Sequence, residues 1–228
     1  MRWDSHTDVA FDSIVAAKSK TIDFENVNTE PYGFAVLENG YSKLNWENLY
    51  VLNIPNSGIE YYGNSGYITG ATSGEQVMYN PYSATDSSIY LNSGTFTFES
   101  VQMTSGWNIK ETVTIKGYDE SGDEIYSEKV KLTSKGPADV ELNWTGVNRV
   151  TFFYPEKFKQ DPDLLGSGNN VVFDDLVVSK VKGKSGGAEL DGHHAVTDGA
   201  FGVNTHHESI GSVHQVNDTA HPVNLYLA

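Results

Sequence analysis

The chain lacks several features, and each absence excludes a class of structure or chemistry. Its 228 residues contain no cysteine, so disulfides and thiolate nucleophiles are excluded. No run of about 18 apolar residues occurs, which excludes a transmembrane helix. Residues 1–20 have no apolar segment of the kind that signal peptides carry. The sequence therefore leaves three routes open: a removed leader, leaderless export, or a location inside a cell or particle.

Basic residues are also scarce. Fifteen Lys and Arg residues stand against 30 Asp and Glu residues, and the formal net charge is −15. Because nucleic acids and anionic membranes repel such a surface, we exclude both as partners. Abundant Gly, Asn, Ser, Thr and Tyr together with this acidity are typical of bacterial extracellular proteins. We therefore predict an extracellular or cell-surface location.

What the chain does contain is a series of short strand patterns. The clearest is "ETVTIKGYDESGDEIYSEKVKLT", where apolar residues alternate on both sides of a polar turn and predict an antiparallel hairpin. Similar runs recur about every 8 to 12 residues without a strong helical period, which favours an all-β fold. The predicted fold is an antiparallel β-sandwich of jelly-roll type.

Composition divides the chain into four parts. Residues 1–20 form an N-terminal arm, either a short helix or an irregular segment. The sandwich spans residues 21–182, and residues 53–92 within it are predicted to be loops and short strands. A Gly/Ser linker follows at 183–190. Residues 191–228 form a His-rich extension that contains no Lys or Arg.

Two distant strand segments carry carboxylates. They are "TIDFENV" at 21–27 and "VVFDDLVV" at 171–178. Adjacent Asp174 and Asp175 point to opposite faces of a strand, so one of them faces away from bulk solvent. A buried carboxylate needs a partner. If the first and last strands are neighbours, one calcium ion could join them. The alternative is that these acids are solvated or accept hydrogen bonds from nearby amides.

Several short segments resemble jelly-roll surface domains of PEP-CTERM-type bacterial extracellular proteins. The similar segments are "IDFENV", "GYSKLNWENLYVLN", "FTFESVQMTSGWN", "VTIKGYDESGDEIYSEKV", "LNWTGVNRVTF" and "VVFDDLVV". The first and last also resemble the ends of MAM-type jelly rolls. The chain lacks the Pro-Glu-Pro sorting signal of PEP-CTERM proteins, so their anchoring route is not expected here.

This resemblance implies a structural cation between the first and last strands. Calcium is the expected cofactor, and the expected ligands are the acidic side chains of the two segments. By resemblance these are Glu25 with Asp174 or Asp175, supported by Asp23 and Asn26.

Aromatic residues are candidates for sugar binding. Trp46, Trp107 and Trp144 each adjoin an asparagine, and aromatic faces stack on pyranose rings. Because Trp46 and Trp144 lie within strand patterns, we place the tryptophans in the core or at its rim instead. The loop tyrosines are better candidates for an exposed ligand-binding surface. They are Tyr61, Tyr62, Tyr67, Tyr79 and Tyr82.

The extension holds six of the seven histidines. His193, His194, His206 and His207 form two adjacent pairs and are a candidate second site, for a transition metal. No compact zinc signature is present, so a loose or strand-exchanging tail is the competing interpretation. The terminal "HPVNLYLA" has β character and could add a strand to its own or a neighbouring sandwich.

The sequence shows no catalytic constellation. Neither a nucleophile elbow nor a recognisable triad is present, and the paired acids near residue 119 sit on a turn. We therefore predict a non-catalytic, calcium-stabilised extracellular domain that attaches to surfaces or binds polysaccharide. The alternative is a structural subunit of an appendage, matrix or particle that assembles with copies of itself by exchanging terminal segments. A polysaccharide-acting enzyme is the third interpretation.

Overall fold

The computed structural model describes residues 18–81 and 84–182. The predicted linker and His-rich extension lie outside these residues, as does the N-terminal arm apart from residues 18–20. Within the described ranges the strands form two sheets, and every pairing between strands is antiparallel. The predicted antiparallel β-sandwich is confirmed.

The strands and helices follow one another along the chain in the following order. They are β1 (Lys20–Ile22), β2 (Phe34–Val36), β3 (Asn45–Glu47), β4 (Tyr50–Asn53), α1 (Ile54–Ser57), α2 (Gly66–Thr69), β5 (Gln76–Tyr79), β6 (Asp86–Tyr90), β7 (Thr95–Ser105), β8 (Asn108–Tyr118), β9 (Glu124–Leu132), β10 (Ala138–Val147), β11 (Arg149–Phe153), β12 (Lys159–Gln160) and β13 (Val171–Lys182). Short 3-10 helices span Tyr41–Lys43 and Ile59–Tyr62.

The two sheets divide these strands between them. The first sheet has the order β10-β7-β13-β5-β4-β2, with β1 pairing with β13. The second has the order β12-β8-β11-β6-β3, with β9 pairing with β8. The predicted hairpin is β8–β9. Consecutive β10 and β11 lie in different sheets, so the chain crosses the sandwich at Asn148.

The main core lies between the sheets, because alternate residues of each strand point inward. Phe98 and Phe173 of the first sheet contact Phe152 of the second, with ring centroids 6.2 and 4.9 Å from Phe152. All three side chains are fully buried. Trp46 and Trp144 are buried in this core, at 5% and 7% exposure, and Trp107 is buried in a second cluster, at 1% exposure. This confirms the prediction that the tryptophans lie in the core or at its rim.

A second apolar cluster covers the outer face of the first sheet. Leu52, Val77 and Val172 point to this face, and they alternate with main-core residues on the same strands. The helices α1 and α2 lie in the segment predicted to contain loops and short strands, and they add Ile54 and Tyr67 to the cluster. Among the described residues, no helix is long and apolar enough to span a membrane.

Candidate functional site

The first and last strands are neighbours, as the sequence resemblance implied. β1 pairs with β13, and Ile22 lies opposite Leu176. The same side of β13 pairs with β5 at Val172 and Phe173. Between these two pairings the ladder is interrupted at Asp174 and Asp175. We call this interruption, together with Glu25 and the loop 72–76, the seam.

Glu25 accepts hydrogen bonds from the loop that precedes β5. Its Oε1 accepts from the backbone N–H groups of Glu75 and Gln76, at 2.9 and 2.7 Å. Gly74 makes this approach feasible: its φ is +55°, and a Cβ atom there would lie 2.1 Å from the Glu25 Cδ. The carboxylate therefore occupies the space that any other side chain at position 74 would need.

Asp174 accepts hydrogen bonds from the first half of the same loop, at Thr72 and Ser73. It is fully buried, and its Oδ2 accepts from the N–H groups of Thr72 and Ser73 at 2.7 and 2.9 Å. Its Oδ1 accepts from the N–H of Asp175. Burial raises the pKa of Asp174, and the backbone hydrogen bonds of Ser73 and Thr72 oppose this shift. Asp175 is half-buried and accepts from both hydroxyls of the loop.

These contacts decide how well the seam suits a cation. Glu25 Oε1 and both Asp174 oxygens already accept N–H or O–H donors, which an ion would have to displace. Within residues 18–81 and 84–182, no group of three or more His, Cys, Asp or Glu side chains could hold a metal. The arrangement therefore fits amide capping better than calcium coordination. Calcium at the seam stays a prediction that chelation can test.

The two weaker ligand candidates have local roles. The Asp23 carboxylate accepts from the backbone N–H of Glu25 at 3.3 Å, which shapes the turn after β1. Asn26 accepts from the Tyr41 hydroxyl at 2.7 Å. Both residues are exposed.

The tyrosines predicted to form an exposed surface divide into two groups. Tyr61 is 78% exposed, and Tyr62 is half-buried beside it with ring centroids 5.4 Å apart. Tyr67 and Tyr79 are 0% and 5% exposed, so their assignment to an exposed surface is wrong. Tyr82 lies outside the described residues, as do the histidines His193, His194, His206 and His207.

Close backbone packing explains why Tyr67 is buried. The Gly66 N–H donates to the carbonyl of Gly106 at 2.9 Å, and a Cβ on Gly66 would lie 1.9 Å from the Ser105 carbonyl oxygen. The missing side chain lets α2 pack against the β7–β8 turn. Tyr67 then lies 5.3 Å from Trp107, between ring centroids.

An open groove lies on the outer face of the second sheet. We call it the second-sheet groove, and its volume is about 570 Å³. Residues of β3, β6, β8 and β11 line it, together with the β8–β9 turn. They are Glu47, Asp86, Ser88, Tyr118, Asp119, Glu120, Ser121, Gly122, Asn148, Arg149, Thr151 and Phe153.

Strand register places its central residues in rows. Arg149 on β11 lies opposite Tyr90 on β6 and opposite Tyr118 on β8, so the three form one row across the sheet. The guanidinium stacks on Tyr90, 4.2 Å from the ring centroid. Its Nη1 donates to Glu47 Oε2 at 2.8 Å. These two contacts hold the Arg149 side chain in one orientation.

The next rows of the sheet place two hydroxyl groups at the base of the groove and the Phe153 ring at its surface. Thr151 lies opposite Ser88, and their hydroxyls are hydrogen-bonded at 2.9 Å in a buried position. Phe153, two residues further along β11, is 37% exposed. Lys116 lies over this ring, 5.7 Å from its centroid. The groove thus combines an aromatic surface with planar and hydroxyl hydrogen-bonding groups.

The β8–β9 turn forms a rigid wall of the groove. Asp119 Oδ1 accepts from the N–H groups of Ser121 and Asp123 at 2.8 and 3.0 Å. Glu120 accepts from the Gly94 N–H at 3.1 Å, which ties the turn to a neighbouring loop.

The second-sheet groove was not predicted from the sequence. The signal was present, because Arg149, Thr151 and Phe153 alternate with the apolar residues of β11.

Comparison with known proteins gives remote structural likenesses. No protein-family model matches the chain, and no curated protein matches it. A DUF4465 family protein from Bacteroides caccae is similar, at 12% identity and a TM-score of 0.45, covering 71% of this chain and 98% of that one. The K2 cleaved adhesin domain of Lys-gingipain also has 12% identity, with a TM-score of 0.38 over 71% and 97% of the two chains.

A carbohydrate-binding module is among the similar structures. The family 11 module of a Clostridium thermocellum cellulosomal cellulase has 12% identity and a TM-score of 0.35, covering 72% of this chain and 95% of that one. None of these three likenesses shows membership of a PEP-CTERM-type or MAM family. With TM-scores under 0.5, none of them assigns a function to this chain.

Proposed function

We propose that this protein is a non-catalytic, extracellular domain that binds a glycan chain in the second-sheet groove. The groove itself carries the proposal. It presents Tyr118 and Phe153 as ring surfaces for stacking, with Lys116 over one face of the Phe153 ring, beside hydroxyl, guanidinium and carboxylate groups that can bond to sugar hydroxyls. Sites that bind small ligands combine apolar surface with a few oriented polar groups in this way.

Charge favours a neutral glycan. The carboxylates of Glu47, Asp86, Asp119 and Glu120 line the groove, and Arg149 contributes the one positive side chain among its lining residues. Arg149 is paired with Glu47. Because the remaining field is negative, uronic or sulfated polysaccharides are repelled. Carboxylates accept hydrogen bonds from the hydroxyls of neutral sugars, so these remain suitable ligands.

A rigid groove also supports binding. The Asp119 hydrogen bonds close the turn, and the contacts with Tyr90 and Glu47 hold Arg149. Groups already held in place lose less conformational entropy when a ligand arrives. The groove therefore needs little rearrangement to contact a sugar chain.

The test is a glycan array followed by affinity electrophoresis in soluble polysaccharides. We expect Tyr118→Ala and Phe153→Ala each to weaken binding about tenfold or more, as removing a central aromatic contact usually does. Tyr61→Ala is the matched control, because Tyr61 is an exposed tyrosine that does not line the groove. It should leave binding unchanged.

Two outcomes contradict this assignment. Loss of binding in Tyr61→Ala with normal binding in Tyr118→Ala would move the site to the Tyr61–Tyr62 surface. Release of reducing sugar from a bound polysaccharide would show an enzyme, since the proposal requires binding without turnover.

Self-assembly is a second candidate function, favoured by one edge of the first sheet. β2 stands at the end of the strand order and pairs with β4. Val36 on this strand is 54% exposed, and nearby Tyr32 is 70% exposed. An apolar edge strand can accept a strand from another chain. Concentration-dependent polymers in sedimentation velocity, abolished by Val36→Lys, would support this role.

A further inference from the structure

A buried carboxylate lies inside the sandwich, away from the second-sheet groove. Glu111 is 1% exposed and shares the inward-facing side of β8 with Val113 and Ile115. None of the ion pairs among the described residues includes it. An ionised carboxylate in this position would be a buried charge without a counter-charge, which is costly.

Hydrogen bonds engage one of its two oxygens. Glu111 Oε2 accepts from the Ser105 hydroxyl and from Asn108 Nδ2, the latter at 3.0 Å. The same Nδ2 donates to the carbonyl of Gly168 at 2.8 Å. Two acceptors on one side of the Asn108 amide require its NH2 group there. The amide orientation is therefore determined by its partners.

The other oxygen of each group has no partner. Glu111 Oε1 and Asn108 Oδ1 are both buried and without a hydrogen bond. Both are acceptors when the glutamate is ionised, so neither can satisfy the other. A buried unsatisfied polar atom costs about 1–3 kcal/mol. The pair thus has one hydrogen bond formed and two acceptors left over.

We propose that Glu111 retains a proton in the folded protein, with Oε1–H donating to Asn108 Oδ1 and Asn108 Nδ2 donating to Glu111 Oε2. One proton then satisfies both unpartnered oxygens and closes a cyclic acid–amide pair. It also removes the buried charge. This inference does not rest on glycan binding.

The surroundings of Glu111 agree with a neutral acid. Burial raises its pKa, and the hydrogen bonds from Ser105 and Asn108 oppose that shift. The titratable groups that its charge influences are Tyr67 on α2 and Tyr154 after β11. Burial raises the pKa of both, so these tyrosines are neutral and supply no positive charge.

A bound cation fits this site less well. Calcium requires six to eight oxygen ligands, and the pair offers two free oxygens. In the described ranges, no group of three or more metal-binding side chains includes Glu111.

The test compares the pH dependence of stability in the wild-type chain and in Glu111→Gln. Gln reproduces the neutral pair, because its amide donates to Asn108 Oδ1 and its carbonyl accepts from Nδ2. A raised folded-state pKa means that the folded protein binds the proton more tightly than the unfolded chain. The stabilisation is complete below the unfolded pKa of about 4.5 and is lost as the pH rises through the folded pKa.

We expect the folding constant of Glu111→Gln, relative to wild type, to rise about tenfold per pH unit above pH 4.5 and to level off above the folded pKa. Urea unfolding at a series of pH values measures this ratio. A flat ratio would overturn the proposal.

A measurement on the wild-type chain covers the case in which the variant fails to fold. The side-chain carboxyl carbon resonances of glutamate, followed by NMR, should include one that stays in the protonated position well above pH 4.5. All glutamates titrating near the ordinary value would refute a retained proton. Stabilisation of the wild type, but not Glu111→Gln, by added Ca²⁺ at neutral pH would also refute it, because the carboxylate would then be ionised and metal-bound.

Discussion

At the seam, the carboxylates of single residues accept hydrogen bonds from backbone N–H groups that have no partner strand. The loop 72–76 presents four backbone N–H groups, two to Asp174 and two to Glu25. Three of these four hydrogen bonds are partly buried, N–H groups removed from water need a partner, and here the sheet ladder is interrupted. The acids replace the missing strand partner, so their place in β-type segments is a structural requirement of this interruption.

A side chain at position 74 should displace the Glu25 carboxyl. Gly74→Ala would place Cβ against the Glu25 carboxyl, at 2.1 Å from Cδ, with a φ of +55°. We expect a loss of more than the roughly 1–2 kcal/mol of unfolding free energy that the positive φ costs, because the Glu25 carboxyl must also move and give up its hydrogen bonds with Glu75 and Gln76. Urea denaturation measures the loss.

Gly122→Ala is the matched control for this substitution. Gly122 also has a positive φ, +89°, yet nothing lies within 4 Å of its Cβ position. Gly122→Ala should lose only about 1–2 kcal/mol of unfolding free energy, which is the cost of a positive φ for a residue with a side chain. Equal losses in the two variants would show that Glu25 does not occupy the position seen here.

The packing of single residues also explains why the sequence analysis placed Tyr67 and Tyr79 on an exposed surface. Tyr67 and Tyr79 lie in a segment rich in Gly, Asn and Ser, which is typical of exposed loops. Gly66 brings α2 against the β7–β8 turn and buries Tyr67 beside Trp107. That contact joins residues about 40 positions apart in sequence, so no local pattern reports it.

At the scale of elements, the junction of β1, β5 and β13 determines whether a cation is needed. β5 and β1 share one side of β13, and loop 72–76 fills the space between them. Hydrogen bonds within this junction already satisfy the carboxylates. A cation would therefore compete with peptide amides for the same oxygens.

Chelation separates the two interpretations of the seam: amide capping alone predicts an unchanged melting temperature, whereas the calcium expected from the sequence predicts a fall. Asp174→Asn should destabilise by about 1–3 kcal/mol with or without EDTA, because an NH2 group replaces one of two oxygens that both accept backbone N–H groups. Glu25→Gln should cost less, because a single oxygen of Glu25 accepts from Glu75 and Gln76 and the Gln side chain keeps one such oxygen. Differential scanning calorimetry measures both effects. A fall of several degrees on chelation, abolished in the Glu25→Gln, Asp174→Asn double variant, would support the calcium site implied by the sequence resemblance.

The order and register of the strands also form the second-sheet groove. β6, β8 and β11 are well separated in sequence, yet their register aligns Tyr90, Arg149 and Tyr118 in one row. Alternation along β11 shows that Arg149, Thr151 and Phe153 share a face. Only the strand order shows which other residues share it with them.

At the scale of the whole molecule, the described residues contain two hydrophobic clusters. The main core joins both sheets, and the second cluster covers the outer face of the first sheet. The strands extend from Lys20 to Lys182, close to the predicted sandwich boundaries of 21 and 182. Those boundaries stay a prediction about independent folding.

A fragment of residues 18–182 tests that prediction. We expect it to unfold cooperatively, at a melting temperature within a few degrees of the full chain, because the apolar clusters lie inside it. It should bind the same glycans as the full chain. Failure to fold, or loss of glycan binding, would show that the segments outside it contribute to the domain.

The sequence by itself determined the all-β class and the burial of Trp46 and Trp144. These follow from alternation along single strands, which is a local property, whereas the adjacency of the acidic segments was implied by the family resemblance and not by alternation. Tertiary structure alone decided the partners of the carboxylates, the rows of the groove, and the pairing of Glu111 with Asn108. The first two depend on strand order and register, which bring together residues far apart in sequence. Glu111 and Asn108 are only three residues apart, and what the tertiary structure decides there is the burial of both side chains.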